Sequence, residues 1–445
     1  MKNIDRRKFV GSAAMAGIGL AGASAFLSGC SRSSKTQIEG LPPILRGAPA
    51  GKKLRAGLVG TGARGTGAAI NFISSGPDLE IIALADTFQD QIDECRERFA
   101  SFDLPIPEEN CFVGFDGYKK LMEIDDIDVV LLATPCKFRP EHFLEAVTKN
   151  KHVFMEKPLA VDSTGIRSII STARKAEAIG LNVVTGTQRR HQEDYIETYR
   201  QVASGAIGRI TSGKAFWNQD HVWFKLREPG WNDMEYMVRN WNNFCWLCGD
   251  HILDTHVHNI DVINWFMGKH PEKAIGYGGR ARRVTGDQYD FFSIDFDYGN
   301  GISSHSMCRQ IDSCANGTGE LVMGTEGYTN CQNTIWDLDG NVIWEFEYPK
   351  DENGNPTQTL AIPSYVQEHM HLVYAIRTGN YVNEAEQTAL STLTAIMGRT
   401  AAYTGRAVTW DEIFKSDMNL GPEIIEFGPV DMKFEVPVPG TPIVI

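Results

Sequence analysis

The sequence predicts an α/β protein: a doubly wound parallel sheet, followed by an α/β domain with a large, mostly antiparallel open sheet. Three observations lead there. Short apolar runs alternate with helical segments between residues 52 and 187, and strands covered on both faces by crossover helices need such runs. A glycine-rich loop, Gly60-Thr61-Gly62-Ala63-Arg64-Gly65, joins the first run to the first helical segment. From residue 210 to 350 the texture changes to alternating, β-branched and aromatic runs such as Ile294-Asp295-Phe296-Asp297-Tyr298, separated by turn signals such as Gly299-Asn300-Gly301.

Element by element, Leu54 to Val59 is a buried strand and Arg64 to Ser74 a helix. Glu80 to Ala85 is the next strand, ending at Asp86, and Gln89 to Phe99 is an amphipathic helix. Asp128 to Ala133 is a strand, Glu141 to Thr148 a helix, and His152 to Met155 a strand. Gly165 to Ala178 is helical and Leu181 to Thr185 a strand. One helix near residues 252 to 267 interrupts the antiparallel region, and two more fall at 364 to 378 and 384 to 404. The domains expected are 52–187 and 188–428. A Pro-rich extended tail from 429 to 445 either packs on a neighbouring subunit or trails.

Composition bounds the function. The 445 residues carry a formal net charge of −13, with 42% hydrophobic and 22% charged residues. That is globular composition, and its acidity argues against nucleic acid, whose phosphates need basic patches. Residues 1–29 read as a signal peptide: Arg6-Arg7 precede a weakly apolar run that ends in Leu27-Ser28-Gly29-Cys30. Paired arginines before such a run resemble a twin-arginine export signal, and Leu-Ser-Gly-Cys resembles a lipobox with Cys30 as the lipidated residue. Residues 30–51 read as a tether, so the expectation is a periplasmic protein whose contact with a bacterial membrane is an N-terminal lipid anchor. The other eight cysteines are scattered and form no disulfide framework; Cys245 and Cys248, a lone CxxC, read as buried thiols.

The glycine loop follows a strand and opens a helix, the context that gives GxGxxG its meaning. The first glycine permits the turn, the second lets backbone approach a pyrophosphate, and the third lets helix and strand pack closely. The helix N-terminus then stabilises the anion. This is the dinucleotide-binding pattern of a Rossmann domain. Asp86, 26 residues after Gly60, can accept hydrogen bonds from both ribose hydroxyls and repel a 2′-phosphate, which favours NAD over NADP.

Two further segments carry chemistry. Thr134-Pro135, with His142 on the next helix, leads to Glu156-Lys157-Pro158. A lysine at the carboxyl end of a parallel strand lies in the crevice where open α/β sheets bind ligands, and its ammonium can stabilise alkoxide character on a substrate. In the second segment, Asp254, His258 and Asp261 fall at i, i+4 and i+7 of a predicted helix. Asp254 there either holds His258 in one tautomer for proton transfer or forms a structural pair. No HExxH is present, and no metal is expected.

With these residues in place, the chain resembles the Gfo/Idh/MocA oxidoreductase family over nearly all its expected mature length. The shared marks are GTGARG, Asp86, the TP pair with His142, Glu156-Lys157-Pro158, Gly205-Ala206-Ile207-Gly208 and the D-x-x-x-H-x-x-D segment. The resemblance implies an N-terminal Rossmann domain and a second α/β domain whose open sheet lines the substrate site and often mediates homo-oligomerisation. It implies Lys157, His258 and Asp254 as catalytic residues, with His258 the acid/base. Cofactor contacts are expected from Gly60, Gly62, Ala63, Arg64, Gly65, Asp86, Thr134, Pro135, His142, Glu156 and Lys157. The family commonly has Gly where this chain has His256, so His256 is expected as an added polar group in the substrate pocket.

Residues 216 to 246 are dense in aromatics and amides, side chains that stack on sugar rings and bond their hydroxyls. Trp217, Gln219, Tyr236 and Arg239 are the expected substrate contacts there. Arg190, like Arg189, is either a substrate or cofactor contact or part of a salt bridge. An exported enzyme meets little free NAD, so the cofactor is expected to be tightly bound and recycled. That fits a sugar, glycoside or polyol oxidoreductase, or a glycosidase working through transient ring oxidation, elimination and re-reduction. A non-catalytic sugar-binding lipoprotein is the remaining reading.

Overall fold

The structure, a computed structural model, describes residues 41–357 and 359–441. The Arg6-Arg7 pair, Cys30 and half of the expected tether lie outside them. Six strands form a parallel sheet: β1 (Leu54–Val59), β2 (Leu79–Asp86), β3 (Cys111–Val113), β4 (Val129–Leu132), β5 (His152–Met155) and β6 (Val183–Thr185). Their order is β3-β2-β1-β4-β5-β6. The chain therefore winds outward from β1 in one direction and from β4 in the other. That leaves a crevice at their carboxyl ends, where the crossover loops part. Ala56, Leu58, Val130 and Leu132 are fully buried, as strands covered on both faces must be.

The second sheet has nine strands: β7 (Ile210–Gln219), β8 (Lys273–Gly279), β9 (Phe291–Asp297), β10 (Ser303–Gln310), β11 (Gly317–Gly324), β12 (Gly327–Thr329), β13 (Thr334–Asp337), β14 (Val342–Glu345) and β15 (Val408–Thr409). Their order is β14-β13-β12-β11-β7-β10-β9-β8-β15. Every neighbouring pair is antiparallel except β7 with β10. One face packs on helices Val257–Met267 and Ala385–Thr404, where Ile263, Leu393 and Ile396 share a core with Phe292, Ile294 and Phe296.

Three boundaries differ from the sequence reading. The Rossmann unit is not confined to 52–187. The helix Ser364–Thr378 returns to cover its sheet, and Met370, Leu372 and Val373 join the core of Leu58, Phe72 and Phe154. Residues 41–51 are a strap rather than a tether: Ala48 is buried, its N–H bonds the Ser75 carbonyl, and His371 and Arg377 hold the carbonyls of Pro43 and Pro49. Within the described part of the tail, Phe434 packs against Phe244 and the Tyr289 hydroxyl donates to the Pro437 carbonyl. In each case apolar or carbonyl groups find partners far away in sequence, which local periodicity does not reveal.

Candidate active site

The glycine loop has the expected construction. Gly60 has φ +90, and a Cβ there would lie 2.7 Å from the Thr134 nitrogen. A Cβ on Gly65 would lie 1.8 Å from the Gly60 carbonyl oxygen, so the helix Ala63–Ser74 can only start this close to β1 with glycine present. No side chain caps that helix, and its first residues, Ala63, Arg64 and Gly65, line the cleft. Asp86 ends β2, accepts hydrogen bonds from the Thr61 amide at 2.7 Å and the Phe88 amide at 3.1 Å, and lines the same cleft. Burial, opposed by these bonds, pushes its carboxyl above the usual range.

The cleft encloses about 400 Å³ and is lined by Gly60, Gly62, Ala63, Arg64, Gly65, Asp86, Thr134, Pro135 and His142. An uncapped helix end, a glycine cradle and a half-buried carboxylate beyond it fit a dinucleotide: pyrophosphate on the amides, ribose on Asp86. Thr134 Oγ1 lies 3.2 Å from His142 Nδ1, and burial lowers His142 to about 3, so its imidazole is neutral.

Arg64 lines the cleft and also holds a buried carboxylate pair. Its guanidinium bonds Glu156 at 2.6 Å and Glu368 at 3.2 Å and lies 4.5 Å over the Tyr365 ring. Glu156 is buried and is held by this pair. Burial, with Glu156 nearby, pushes Glu368 well above the usual carboxylate range. Glu368 and Tyr365 come from the returning helix, and only their proximity in the fold exposes a role that no sequence motif marked.

Lys157 follows β5, and its peptide bond to Pro158 is cis. Its ammonium donates to the backbone carbonyl of Asp254 and lies 3.9 Å from the Asp254 carboxylate. The expected helix at 252–267 is broken: His251–Asp254 ends, and a new helix runs Val257–Met267. The i, i+4 geometry is thereby lost. Asp254 pairs with Lys157 and does not hold His258. Asp261, the third residue of the predicted face, is taken by Arg190. His258 is buried beside Trp217, with ring centroids 6.0 Å apart. Burial, then the nearby Lys157 cation, hold its imidazole well below its ordinary value.

The expected substrate contacts separate. Trp217 stays with His258 and donates its indole N–H to Gln219 at 2.5 Å, so these two remain beside the site. Arg190 takes the salt-bridge alternative over the substrate contact: two nitrogens of its guanidinium bond the Asp261 carboxylate, at 2.7 and 2.9 Å, because a buried carboxylate needs a partner. His256 is corrected. It is wholly buried and bonds Ser306 of β10 at 2.7 Å, locking the helix break onto the sheet. Tyr236 bonds Thr285 at 2.8 Å and packs on Phe244, away from His258. Arg239 lies on the cofactor cleft, bonded to Asp90 at 2.9 and 3.1 Å and 3.9 Å over Phe88. Arg189, missed as a buried group, pairs with Glu320 beneath Trp217.

These features define the class: an oxidoreductase with an NAD-binding Rossmann domain and a second α/β domain joined to it through the Lys157 bond to the Asp254 carbonyl. Residues 54–184 match the family model described as oxidoreductase family, NAD-binding Rossmann fold, and residues 195–329 match the Gfo/Idh/MocA C-terminal domain. The chain belongs to the Gfo/Idh/MocA oxidoreductase family. A glycosyl hydrolase family 109 protein of Shewanella pealeana is 25% identical over 244 residues, 54% of this chain and 52% of its own length. An alpha-N-acetylgalactosaminidase of Shewanella oneidensis is 26% identical over 248 residues, 54% and 53%. The chain spans about half the length of these curated relatives. Scyllo-inositol dehydrogenase from Lactobacillus casei, solved with NAD(H) and scyllo-inositol, shares the fold: TM-score 0.60, 21% identity, 80% of this chain and 99% of that one.

Proposed function

We propose that the protein transfers hydride between a tightly held NAD and a ring hydroxyl of a sugar, glycoside or polyol. The observation that carries this reading is the hydrogen bond from the Lys157 ammonium, at the end of β5, to the Asp254 carbonyl of the second domain, four residues before His258. Held by the Gly60–Gly65 loop and Asp86, NAD would supply the hydride acceptor and donor for the carbinol carbon. Lys157 donates to the substrate oxygen and stabilises its alkoxide character. His258, neutral because buried, accepts the hydroxyl proton and gives it back on reduction. The Asp254 carbonyl fixes the Lys157 ammonium between the two domains.

A second reading is favoured by the similarity to glycosyl hydrolase family 109 proteins: transient ring oxidation, elimination of the aglycone, addition of water and re-reduction, giving net hydrolysis. Arg6-Arg7 and Leu27-Ser28-Gly29-Cys30 support export as a lipid-anchored periplasmic protein, where a recycled cofactor is an advantage. Exposed Ile275, Tyr277 and Met323 on the open sheet support a homo-oligomer.

One assay tests both chemistries. Purified protein is incubated with a panel of sugars and glycosides while NADH absorbance and products are followed. A keto-sugar supports the dehydrogenase, and free aglycone without net NADH supports hydrolysis. Neither product across the panel, with NAD bound, would refute the enzyme and leave a sugar-binding protein.

A further inference from the structure

The geometry points to a cofactor site made by both domains, in which the segment 222–241 of the second domain covers the adenosine half of NAD and Lys225 pairs with its phosphate charge. This rests on the NAD reading above and extends it to the residues that prevent release. The wall of the cleft opposite Asp86 and Phe88 is not Rossmann structure. It is made by Trp223, Lys225, Arg239 and Trp241, all more than 130 residues away in sequence.

The segment is held in place by specific contacts. Buried Asn243 donates to the Trp223 carbonyl at 3.1 Å, and buried Asn240 accepts the Lys225 amide at 2.8 Å. The Trp223 and Trp241 rings meet edge to face at 5.9 Å. Arg239 clasps the Rossmann side through Asp90 and Phe88. Two side chains on this wall stay exposed. Trp223 is 38% exposed at the mouth of the cleft, where a flat heteroaromatic ring would cover it. Among the described residues, no carboxylate pairs with the Lys225 ammonium, although it lines a cleft built for an anion. A purine stacked near the tryptophans and a pyrophosphate reached by Lys225 satisfy both. Bound in this way, NAD leaves only when the segment lifts from Phe88, which accounts physically for a cofactor that stays through many turnovers.

The test is exchange of bound NAD for isotope-labelled NAD, read by mass spectrometry on the full chain, for wild type, Trp223→Ala and Lys225→Ala. Each variant is expected to exchange at least about tenfold faster, with the melting temperature of the cofactor-free protein unchanged. The Lys225→Ala difference should shrink in high salt, which screens an exposed charge. Exchange within about twofold of wild type in both variants overturns the proposal while leaving the NAD reading intact. A Lys225→Ala effect on NADP binding alone overturns it too, since the lysine would then read a 2′-phosphate. Wild-type protein that holds no NAD overturns this proposal and the reading beneath it.

Discussion

Lys157 gives its ammonium to the backbone carbonyl of Asp254, not primarily to the Asp254 carboxylate, which lies 3.9 Å away. The bond crosses from the end of β5 to the end of a short helix in the second domain. It ties Lys157 to the segment that carries His258. Because the acceptor is main chain, it survives a change of the Asp254 side chain.

The two residues should therefore respond differently to substitution. Lys157→Ala is expected to lower kcat by about 10³-fold, the scale of lost proton and charge stabilisation. Asp254→Asn is expected to lose no more than about tenfold, since the carbonyl remains. Single-turnover reduction of bound NAD by substrate measures both. An Asp254→Asn defect as deep as that of Lys157→Ala would show that the carboxylate itself is essential.

Gly65→Ala should damage the fold and the cofactor site together. Its Cβ would sit 1.8 Å from the Gly60 carbonyl oxygen, so the helix must shift off β1. A loss of about 1–3 kcal/mol in denaturant melts is expected, with NAD lost on gel filtration. Gly67→Ala in the same helix meets only the far end of Arg64, at 3.9 Å, and should be neutral or slightly stabilising by helix propensity.

Arg64→Met leaves two carboxylates, Glu156 and Glu368, buried without their cation. Removing one partner of a buried pair costs about 3–5 kcal/mol. The guanidinium is itself 38% exposed, which screens the interaction and brings the expectation to about 2 kcal/mol. Adding Glu368→Gln should restore part of that, and a double-mutant cycle measures the coupling. Strict additivity of the two changes would contradict the contact.

Stability should fall on acidification. Burial lowers His142, His256 and His371 to about 3, whereas the unfolded chain titrates them near about 6.5. The unfolded state thus binds more protons below that pH. The contribution is complete above about pH 6.5 and is lost progressively as pH falls toward about 3. At pH 5 each histidine costs on the order of 2 kcal/mol. Asp287, raised to about 6, and Glu368, raised well above its ordinary value, oppose part of this over the same interval, as do Asp86 and Glu320, also raised by burial. Thermal melts between pH 7.5 and about 5 should show a falling midpoint, and His371→Gln should flatten the slope.

Asp86→Ser should relax cofactor choice. Without the carboxylate, a 2′-phosphate is no longer repelled and the ribose hydroxyls lose acceptors. The ratio of NAD to NADP affinity is expected to fall at least about tenfold. An unchanged ratio in titration calorimetry would remove Asp86 from cofactor recognition.

The sequence by itself determined the parallel sheet, the glycine loop, Asp86 and Lys157, because each is local. A buried strand is a continuous apolar run, a phosphate turn needs glycines at fixed spacing, and both lie within a single βαβ unit. The fold class and family followed from these. The tertiary structure decided everything that depends on distant partners. Asp254 and His258 looked like one helical face until the break at Thr255 and His256 sent them to different neighbours. Arg190, open between ligand contact and salt bridge, went to Asp261, and His256, expected in the substrate pocket, gave its Nε2 to Ser306. Arg239 moved from the substrate to the cofactor cleft, and Glu368 entered the site from a helix 304 residues beyond Arg64. The physical reason is common to all of them. Buried polar groups must find a partner, and which partner is nearest depends on how layers pack, not on the spacing of residues along the chain.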